Sequence, residues 1–366
     1  MTDVNNLLKK GVTEGVFPGA ILLAAKNNEI DSFFSAGRLS SAPGSLPVNK
    51  DTIFDLASLT KPLATALAMM RLVDKGKIGL DQPLSELLQR PSLKEKKKLT
   101  PRLLLCHSAG LPDWRPFYLE LIRYEEERRK NFLREKIIEE PFFYHPGRNI
   151  IYSDLGFMIL EWIIEAVSGM PMHRFIQENF YSPLGLKRTF LSTEGSLGRF
   201  RREDYAATEE CPWRKRLIQG EVHDENAYAL GGYSGHAGLF GTAGEVLLIM
   251  KMLEGHYRGE RDDFFSPGTV REFFRCQYLL EESTLALGWD TPSPLDSSSG
   301  KWFSPNSVGH LGFTGTSVWM DIDQNITIIL LTNRVHPTRK NEKIKKFRPA
   351  IHNKIMEEYG RDKEYA

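Results

Sequence analysis

The chain contains 366 residues, of which 41% are hydrophobic and 26% are charged. This composition is typical of a soluble globular protein, and the length predicts two domains or one large one. Its 48 Lys and Arg residues nearly balance 47 Asp and Glu residues, which argues against nucleic acid or an anionic membrane as a partner and favours a small molecule.

The cysteines and the N-terminus indicate the compartment. Cys106, Cys211 and Cys276 are widely separated and form no CxxC pair, so neither a disulfide scaffold nor a zinc site is expected, and no cofactor is predicted. The opening stretch MTDVNNLLKKGVTEGVF lacks the apolar segment of a secretory signal, and no stretch reaches the roughly 18 apolar residues of a membrane span. We predict a cytoplasmic protein, or a periplasmic or extracellular one if a signal was removed.

Segments that favour strands lie at both ends of the chain. A helix is predicted over 4–14 with Thr2 or Asp3 as its N-cap, and GAILLAAKNNEIDSFFSAG predicts a hairpin that turns at two asparagines. Near the C-terminus, GTSVWMDIDQNITIILLTN predicts a second hairpin that turns at 323–325, followed by a helix within 341–360. The two ends therefore supply a sheet.

The middle of the chain favours helices. The segments LATALAMMRLVDKG, YLELIRYEEERRKNFLREKIIEE and SDLGFMILEWIIEAVSG have helical apolar spacing with Gly or Pro stops. The simplest arrangement is an α/β lobe formed by 1–75 and 225–366, with an antiparallel sheet flanked by helices, and an inserted, mostly helical lobe formed by 76–224. Small-molecule sites prefer the cleft between such lobes.

Ser58 and Lys61 lie at the start of a predicted helix, in the stretch FDLASLTKPLATALAMM. Residues three apart share a helix face, so the Lys61 amine can reach the Ser58 hydroxyl. Pro62 is tolerated only in a first turn, which places Ser58 where helix N–H groups point toward an oxyanion. Ser298 and Lys301 show the same spacing in a loop, so the motif alone does not decide.

Two further segments offer partners. A lysine is a useful base only when its pKa falls, and Tyr152 could relay a proton if Lys61 held it close to a phenolate. In SVGHLGFTGTSVWMD, Gly312 allows a ligand to approach the backbone, and the Phe313 N–H could pair with that of Ser58 as an oxyanion hole. A packing tyrosine and a glycine-rich strand start remain the alternative interpretations.

Taken in order, three motifs resemble those of the penicillin-recognising serine enzymes, which include class C β-lactamases, DD-peptidases and related esterases. The motifs are Ser58-x-x-Lys61, Tyr152-Ser153-Asp154 and His310-Leu311-Gly312. Segments such as LTPRLLLCHSAGLPDW and GHAGLFGTAGE are similar to the same family, and the resemblance extends from about 10 to 355. The stretch 220–240 resembles the subgroup of low-molecular-mass penicillin-binding proteins and muropeptide amidases.

The resemblance implies a β-lactamase/transpeptidase-like fold and a role for each motif residue. Ser58 would be the acylated nucleophile, Lys61 and Tyr152 the general base pair, and the backbone N–H groups of Ser58 and Phe313 the oxyanion hole. Further positions would line the cleft and contact substrate: Asp154, His310, Gly312, His223, Asp224 and Asn226.

Two departures from the family pattern bear on the chemistry. Asp154 replaces an asparagine found in many relatives, and its carboxylate could pair with Lys61 and raise the lysine pKa, which shifts the base role toward Tyr152. His310 replaces the lysine of class C β-lactamases and would be a weaker, pH-dependent anchor for a substrate carboxylate. β-Lactamase activity is therefore secondary.

The sequence predicts a serine hydrolase that forms an acyl-enzyme on a small ester or amide, such as a muropeptide or a D-amino-acid derivative. The alternatives are a class C β-lactamase and a catalytically silent protein that binds penicillin or peptidoglycan fragments. His223, Asp224, Glu225 and His236 could instead form a metal cluster. The chain has no HExxH motif, and adjacent side chains do not all point to one centre, so no metal site is predicted.

Overall fold

The computed structural model of the protein describes residues 1–361 except 91, 197, 278 and 280–282. Its strands are β1 Gly19–Lys26, β2 Glu29–Gly37, β3 Phe54–Asp55, β4 Phe190–Leu191, β5 Glu210–Cys211, β6 Arg216–Leu217, β7 Leu239–Gly241, β8 Val308–Leu311, β9 Ser317–Asp321 and β10 Ile326–Thr332. Its α-helices are α1 Thr2–Thr13, α2 Leu67–Asp74, α3 Leu84–Leu87, α4 Pro101–Leu105, α5 Tyr118–Leu121, α6 Glu126–Glu139, α7 Asp154–Ser168, α8 Met172–Ile176, α9 Glu225–Ala229, α10 Ala243–Arg258, α11 Pro267–Phe274 and α12 Ile344–Arg361. Short 3-10 helices occupy Ala57–Leu59, Lys94–Lys98, Glu194–Ser196 and Arg202–Asp204, and π-helical segments occupy Lys61–Ala66 and Gln177–Tyr181.

The two ends of the chain form one antiparallel sheet. Within the described residues it has five strands in the order β2-β1-β10-β9-β8, so β1 lies against β10, with Ala20 opposite Thr332. Both predicted hairpins are confirmed. The first turns at Asn27 and Asn28, whose φ angles of 52° and 65° are left-handed, a conformation that asparagine tolerates.

Each face of the sheet is buried. Side chains alternate along a strand, so Ile21 and Leu23 of β1 face a large core shared with most of the helices, whereas Leu22 faces a smaller core built with α1 and α12. Both faces of β1 are therefore packed against a core. The predicted fold class, an α/β protein with an antiparallel sheet flanked by helices, is confirmed.

Two helix predictions needed adjustment. The first helix begins at Thr2 with Met1 as its N-cap and without a side-chain cap, so the prediction of Thr2 or Asp3 as the cap was wrong. The segment 118–140 divides into α5 and α6 instead of forming one helix. The predicted loop 293–307 contains neither helix nor strand.

The stretch 76–224 contains α3 to α8 with a few two-residue strands. The large core includes Leu23 and Met69 from one predicted lobe and Leu160 and Ile163 from the other, and the proposed lobe boundaries stay a prediction. Residues 362–366 of the predicted α/β lobe lie outside the described residues. In the described part of the chain, no single helix is long and apolar enough to cross a membrane; Asp154–Ser168 and Met172–Tyr181 pass that test only as a pair, bent by 72°.

Candidate active site

Ser58 lies in a tight 3-10 turn that leads into a helix. The turn Ala57–Leu59 is followed by the π-helical segment Lys61–Ala66 and then by α2, so the predicted helix start is in the right place, but its first turns are not α-helical. Ala57 has a φ of 48°, which is uncommon for a residue with a side chain and marks backbone strain next to Ser58. The Ala57 N–H donates to the Asp55 carboxylate at 2.8 Å, which holds this conformation.

Lys61 connects Ser58 to Asp154. Its Nζ donates to Ser58 Oγ at 3.1 Å and to Asp154 Oδ1 at 2.7 Å, and its side chain is 0% exposed. Burial disfavours the ammonium, but the charge of Asp154, and then Tyr152, outweigh it and raise the Lys61 pKa above its ordinary value. The predicted pairing of Asp154 with Lys61 is therefore confirmed, and Lys61 is protonated at rest.

Tyr152 lines the same cavity as Ser58. Its ring stacks on His107 with centroids 4.4 Å apart, and the Lys61 Nζ lies 4.6 Å from its ring centre. Burial raises the Tyr152 pKa, and the nearby Lys61 charge only partly offsets this. The near-phenolate on which the predicted relay depends is therefore disfavoured in the resting site, first by burial and then by the Asp154 charge, and the relay itself stays a prediction.

His310 lies on β8 behind Tyr152, with the two ring centroids 6.0 Å apart. Its Nδ1 lies 2.8 Å from the Leu311 carbonyl oxygen, which only accepts, so we assign the proton to Nδ1 and the lone pair to Nε2. Burial, and next the Lys61 charge, lower the His310 pKa to about 3. His310 is therefore neutral and differs sharply from the lysine of class C β-lactamases.

The loop after β8 is fixed to the segment that precedes Ser58. Thr314 Oγ1 donates to the Asp55 carbonyl at 2.7 Å, and Thr316 Oγ1 donates to the Leu56 carbonyl at 3.1 Å. A Cβ at Gly312 would lie 2.5 Å from the Leu56 carbonyl oxygen. The glycine is thus required by the approach of the protein's own backbone, and a substrate contact at Gly312 stays a prediction.

Ser58 and Phe313 line one cavity of about 390 Å³, which is large enough for a small ligand. This common wall is the arrangement that an oxyanion hole from their two N–H groups needs, and that role stays a prediction. The other lining residues are Ala57, Asp113, Trp114, Tyr152, Asp154, His223, Asp224, Glu225, His236, Ala237 and Arg339.

Of the three predicted contacts in 220–240, two reach the cavity. His223 lines the wall with its ring stacked on Phe313 at 5.6 Å. Asp224 caps α9 by accepting from the Ala227 N–H at 2.7 Å and also faces the cavity. Asn226 is not among the residues that line it.

Asn226 is fully buried, and both ends of its amide are used by the backbone. Its Oδ1 accepts from the Tyr118 N–H at 2.8 Å, and its Nδ2 donates to the Arg115 carbonyl at 2.9 Å. We therefore correct its predicted role from substrate contact to support of the loop that precedes α5.

The four residues weighed as an alternative metal cluster do not form one group among the described residues. His223 pairs with Glu209 at 3.1 Å, and Glu225 pairs with Arg339 at 2.6 Å. A different trio lies with its ligand atoms within 4.8 Å of one another: Asp154, Asp224 and His236. Lys61 already supplies a positive charge to this trio through Asp154, and we assign no metal there.

Sequence reasoning missed several side chains at this site. His107 accepts from the Ser153 N–H at 2.9 Å through Nδ1, and burial, with the Lys61 charge, lowers its pKa well below the ordinary value. Asp290 pairs through its backbone with Gly309, directly before His310. His107 and His236 both lie in segments quoted for the family resemblance, which was the only signal available for them, and Asp290 had none.

Comparison with known proteins identifies the family of this chain. The β-lactamase family model matches residues 4–350. A Bacillus subtilis protein named N-acetylmuramyl-L-alanine amidase is 32% identical over 92% of this chain and 81% of its own length. An Escherichia coli K12 protein, provisionally named a D-alanyl-D-alanine carboxypeptidase, is 33% identical over 87% of this chain and 79% of its own.

The fold also matches solved structures. The hydrolase EstCE1, described as having promiscuous acyltransferase activity, superposes with a TM-score of 0.72 at 20% identity and covers 95% of this chain and 98% of its own. At that identity the match shows the fold alone. The family model and the two relatives carry the assignment, and together they place this chain in the β-lactamase family as a serine hydrolase.

Proposed function

We propose that the protein hydrolyses a small ester or amide through an acyl-enzyme on Ser58. The observation that carries the proposal is the 3.1 Å contact between Lys61 Nζ and Ser58 Oγ at the wall of a cavity of about 390 Å³. The nearby Tyr152 supplies a second group that can move a proton. Nucleophile, proton acceptor and substrate space therefore meet at one point.

The reaction begins when the Lys61–Tyr152 pair loses one proton and accepts the Ser58 hydroxyl proton. Ser58 Oγ bonds to the carbonyl carbon, and the N–H groups of Ser58 and Phe313 stabilise the oxyanion. When the oxyanion collapses, the bond to the leaving group breaks and the leaving group takes the proton. Water then attacks the acyl-enzyme in the same way and restores Ser58.

For the substrate we propose a muropeptide or a D-amino-acid derivative. The names of the two relatives point to amide bonds in peptidoglycan fragments, one next to a muramyl group and one between D-alanines. Both bonds are cleaved at a carbonyl, as the Ser58 chemistry requires. Asp113, Trp114 and Phe313 give the cavity one acidic and two aromatic side chains, and this mixture can select among such fragments.

Turnover of β-lactams is the weaker candidate. His310 occupies the third motif as a neutral ring, and Arg339 at the cavity wall is already paired with Glu209 and Glu225, each at 2.6 Å. A substrate carboxylate would therefore meet no uncompensated positive charge from these two residues. A catalytically silent binding protein is also disfavoured, because the contact between Ser58 and Lys61 is intact.

The decisive experiment measures hydrolysis of p-nitrophenyl acetate and of muramyl dipeptide by the wild type, Ser58→Ala and Ser298→Ala. We expect Ser58→Ala to abolish turnover and Ser298→Ala, the same change in the Ser-x-x-Lys spacing of the loop 293–307, to leave it unchanged. Undiminished hydrolysis by purified Ser58→Ala would contradict the proposal. Mass analysis of muramyl dipeptide products identifies the bond that is cleaved.

A second measurement separates the alternatives. Intact-protein mass is followed over time with benzylpenicillin while the drug is monitored in the same tube. We expect the drug to persist without a lasting adduct, since His310 is neutral. A lasting adduct absent from Ser58→Ala would indicate a penicillin-binding site with slow deacylation, and consumption of the drug would indicate a β-lactamase.

A further inference from the structure

We propose that Asp224 and His236 form a positioning pair that controls how tightly the neighbouring Asp154–Lys61 pair holds its proton. Neither residue lies in the three motifs that carry the chemistry. His236 Nε2 lies 3.0 Å from Asp224 Oδ1, and ligand atoms of both residues lie within 4.8 Å of an oxygen of Asp154. The inference rests on the proposed function of Ser58 and Lys61.

The segment that carries His236 is fixed against α7. Glu161 accepts from Ser234 Oγ at 2.8 Å and from the Gly235 N–H at 2.9 Å, and a Cβ at Gly235 would lie 2.0 Å from the Phe157 carbonyl oxygen. Only glycine permits this approach. His236 is therefore held beside the first turn of α7, where Asp154 lies.

The His236 backbone also belongs to the site. Its carbonyl oxygen accepts from Lys61 Nζ at 3.4 Å, while its ring is 1% exposed and contacts Asp224 through Nε2 only; Nδ1 has no hydrogen-bond partner among the described residues. A neutral side chain that reaches the Nε2 position, such as glutamine, can keep that contact and change only the charge.

Two carboxylates next to one imidazole favour its protonated form. Burial lowers the His236 pKa, but the charges of Asp224 and then Asp154 outweigh it and raise the pKa. Conversely, burial raises the Asp224 pKa, but the charge and hydrogen bond of His236, together with the Ala227 N–H and the His223 charge, outweigh burial and lower the pKa. Other ionisable groups near the pair are Lys61 from the π-helical segment, Asp55 from β3 and His223 from the loop before α9. Arg214 also approaches the pair, and its Nη2 donates to the Asp224 carbonyl at 3.3 Å.

This arrangement gives the imidazolium a specific effect. The negative charge of Asp154 holds Lys61 protonated. A protonated His236 beside Asp154 partly compensates that negative charge, so the carboxylate stabilises the Lys61 ammonium less. The proton on Lys61 is then released more easily, as the attack by Ser58 requires. Without His236, two uncompensated carboxylates would hold the Lys61 proton more tightly.

The test is the pH dependence of kcat/KM for p-nitrophenyl acetate. We expect His236→Gln to move the midpoint of the acid limb upward by about one pH unit, which lowers the rate at neutral pH by about tenfold. The double variant His236→Gln/Asp224→Asn removes one charge of each sign, and its midpoint should return toward that of the wild type. A purely structural role would change yield and stability without moving the midpoint.

His256→Gln is the matched control. His256 is also buried and lies 3.0 Å from an aspartate, Asp263, but it lies in α10, outside the cavity wall. Its substitution should leave the midpoint unchanged. An unchanged midpoint in folded His236→Gln, with hydrolysis still dependent on Ser58, would overturn the inference alone, whereas hydrolysis that survives Ser58→Ala would overturn the proposed function.

A measurement on the wild-type protein covers the case in which His236→Gln does not fold. Histidine ring nitrogen shifts are followed by NMR against pH, and the His236 signal is assigned from its movement in Asp224→Asn. We expect a protonated His236 ring at neutral pH. A neutral ring at neutral pH would overturn the inference.

Discussion

At the scale of single residues, the proposed mechanism requires that Lys61 release its proton before Ser58 can act. Because Asp154 raises the Lys61 pKa and burial raises that of Tyr152, both groups are protonated at neutral pH. The pair must lose a proton before it can act as a base, so kcat/KM should rise with pH through the alkaline range. A rate profile from neutral to alkaline pH checks this, and a flat profile would contradict it.

Asp154→Asn tests the partner of Lys61 directly. The substitution removes the charge that holds the ammonium, so we expect the Lys61 pKa to fall and the acid limb of kcat/KM to move downward by about one pH unit or more. Asp81→Asn is the control, because Asp81 pairs at 2.8 Å with Arg102, which does not line the cavity. An acid limb that stays in place in Asp154→Asn would show that Lys61 does not limit the rate.

Asp290 should make stability depend on pH. Burial raises its pKa from 3.8 to about 7, so between these values the folded protein holds a proton that the unfolded chain has released. The free energy of unfolding therefore falls as pH rises from about 4 to about 7. Asp290→Asn removes this loss. The Tm of the variant minus the Tm of the wild type should therefore increase as pH rises from about 4 to about 7. A difference in Tm that is independent of pH would contradict the assignment.

Two contacts of the site residues were predictable from the sequence, but the charge states of those residues were not. The spacing of Ser58 and Lys61 predicted their contact, and the carboxylate at Asp154 predicted its pairing with Lys61. The neutral states of Tyr152 and His310 follow from burial, which appears only when distant segments pack. For the same reason, the sequence could not predict that the Asn226 amide is already hydrogen-bonded to the backbone at both ends.

At the scale of elements, the site depends on the close approach of the β8 end to the turn that carries Ser58. Gly312→Ala would place a Cβ 2.5 Å from the Leu56 carbonyl, so we expect a loss of roughly 1–3 kcal/mol in the free energy of unfolding and a lower kcat. Denaturant unfolding and ester hydrolysis measure both effects.

Gly244→Ala is the matched control for that substitution. Gly244 lies in the first turn of α10 with no atom within 4 Å of an added Cβ, so alanine there should raise the free energy of unfolding by roughly 0.4–1 kcal/mol. Equal effects at the two positions would contradict the packing argument.

Elements whose signals are local were predictable. The hairpins follow from alternating apolar residues and from asparagines that tolerate left-handed turns. The 3-10 and π-helical start at Ser58 was not predictable, because long-range contacts impose it. Thr60 Oγ1, for example, donates to the Ala57 carbonyl at 2.6 Å and accepts from the Leu239 N–H at 3.0 Å.

At the scale of the whole molecule, the large core joins the two predicted lobes. Leu23 from the sheet and Ile163 from α7 belong to the same buried cluster, so we expect a single cooperative thermal transition in which the calorimetric and van't Hoff enthalpies agree. Scanning calorimetry checks this. Two separated transitions would instead support lobes that unfold independently.

The pairing of β1 with β10 also governs when the fold can be completed. Ala20 must meet Thr332, and contacts between residues so distant in sequence form slowly because a long loop must close first. As the chain leaves the ribosome, β1 and β2 emerge early. β10 can pair with β1 only after the residues between β2 and β10 have also been synthesised. The turn at Ser58, which the β8–β9 segment holds in place, therefore becomes ordered only after that segment has been synthesised.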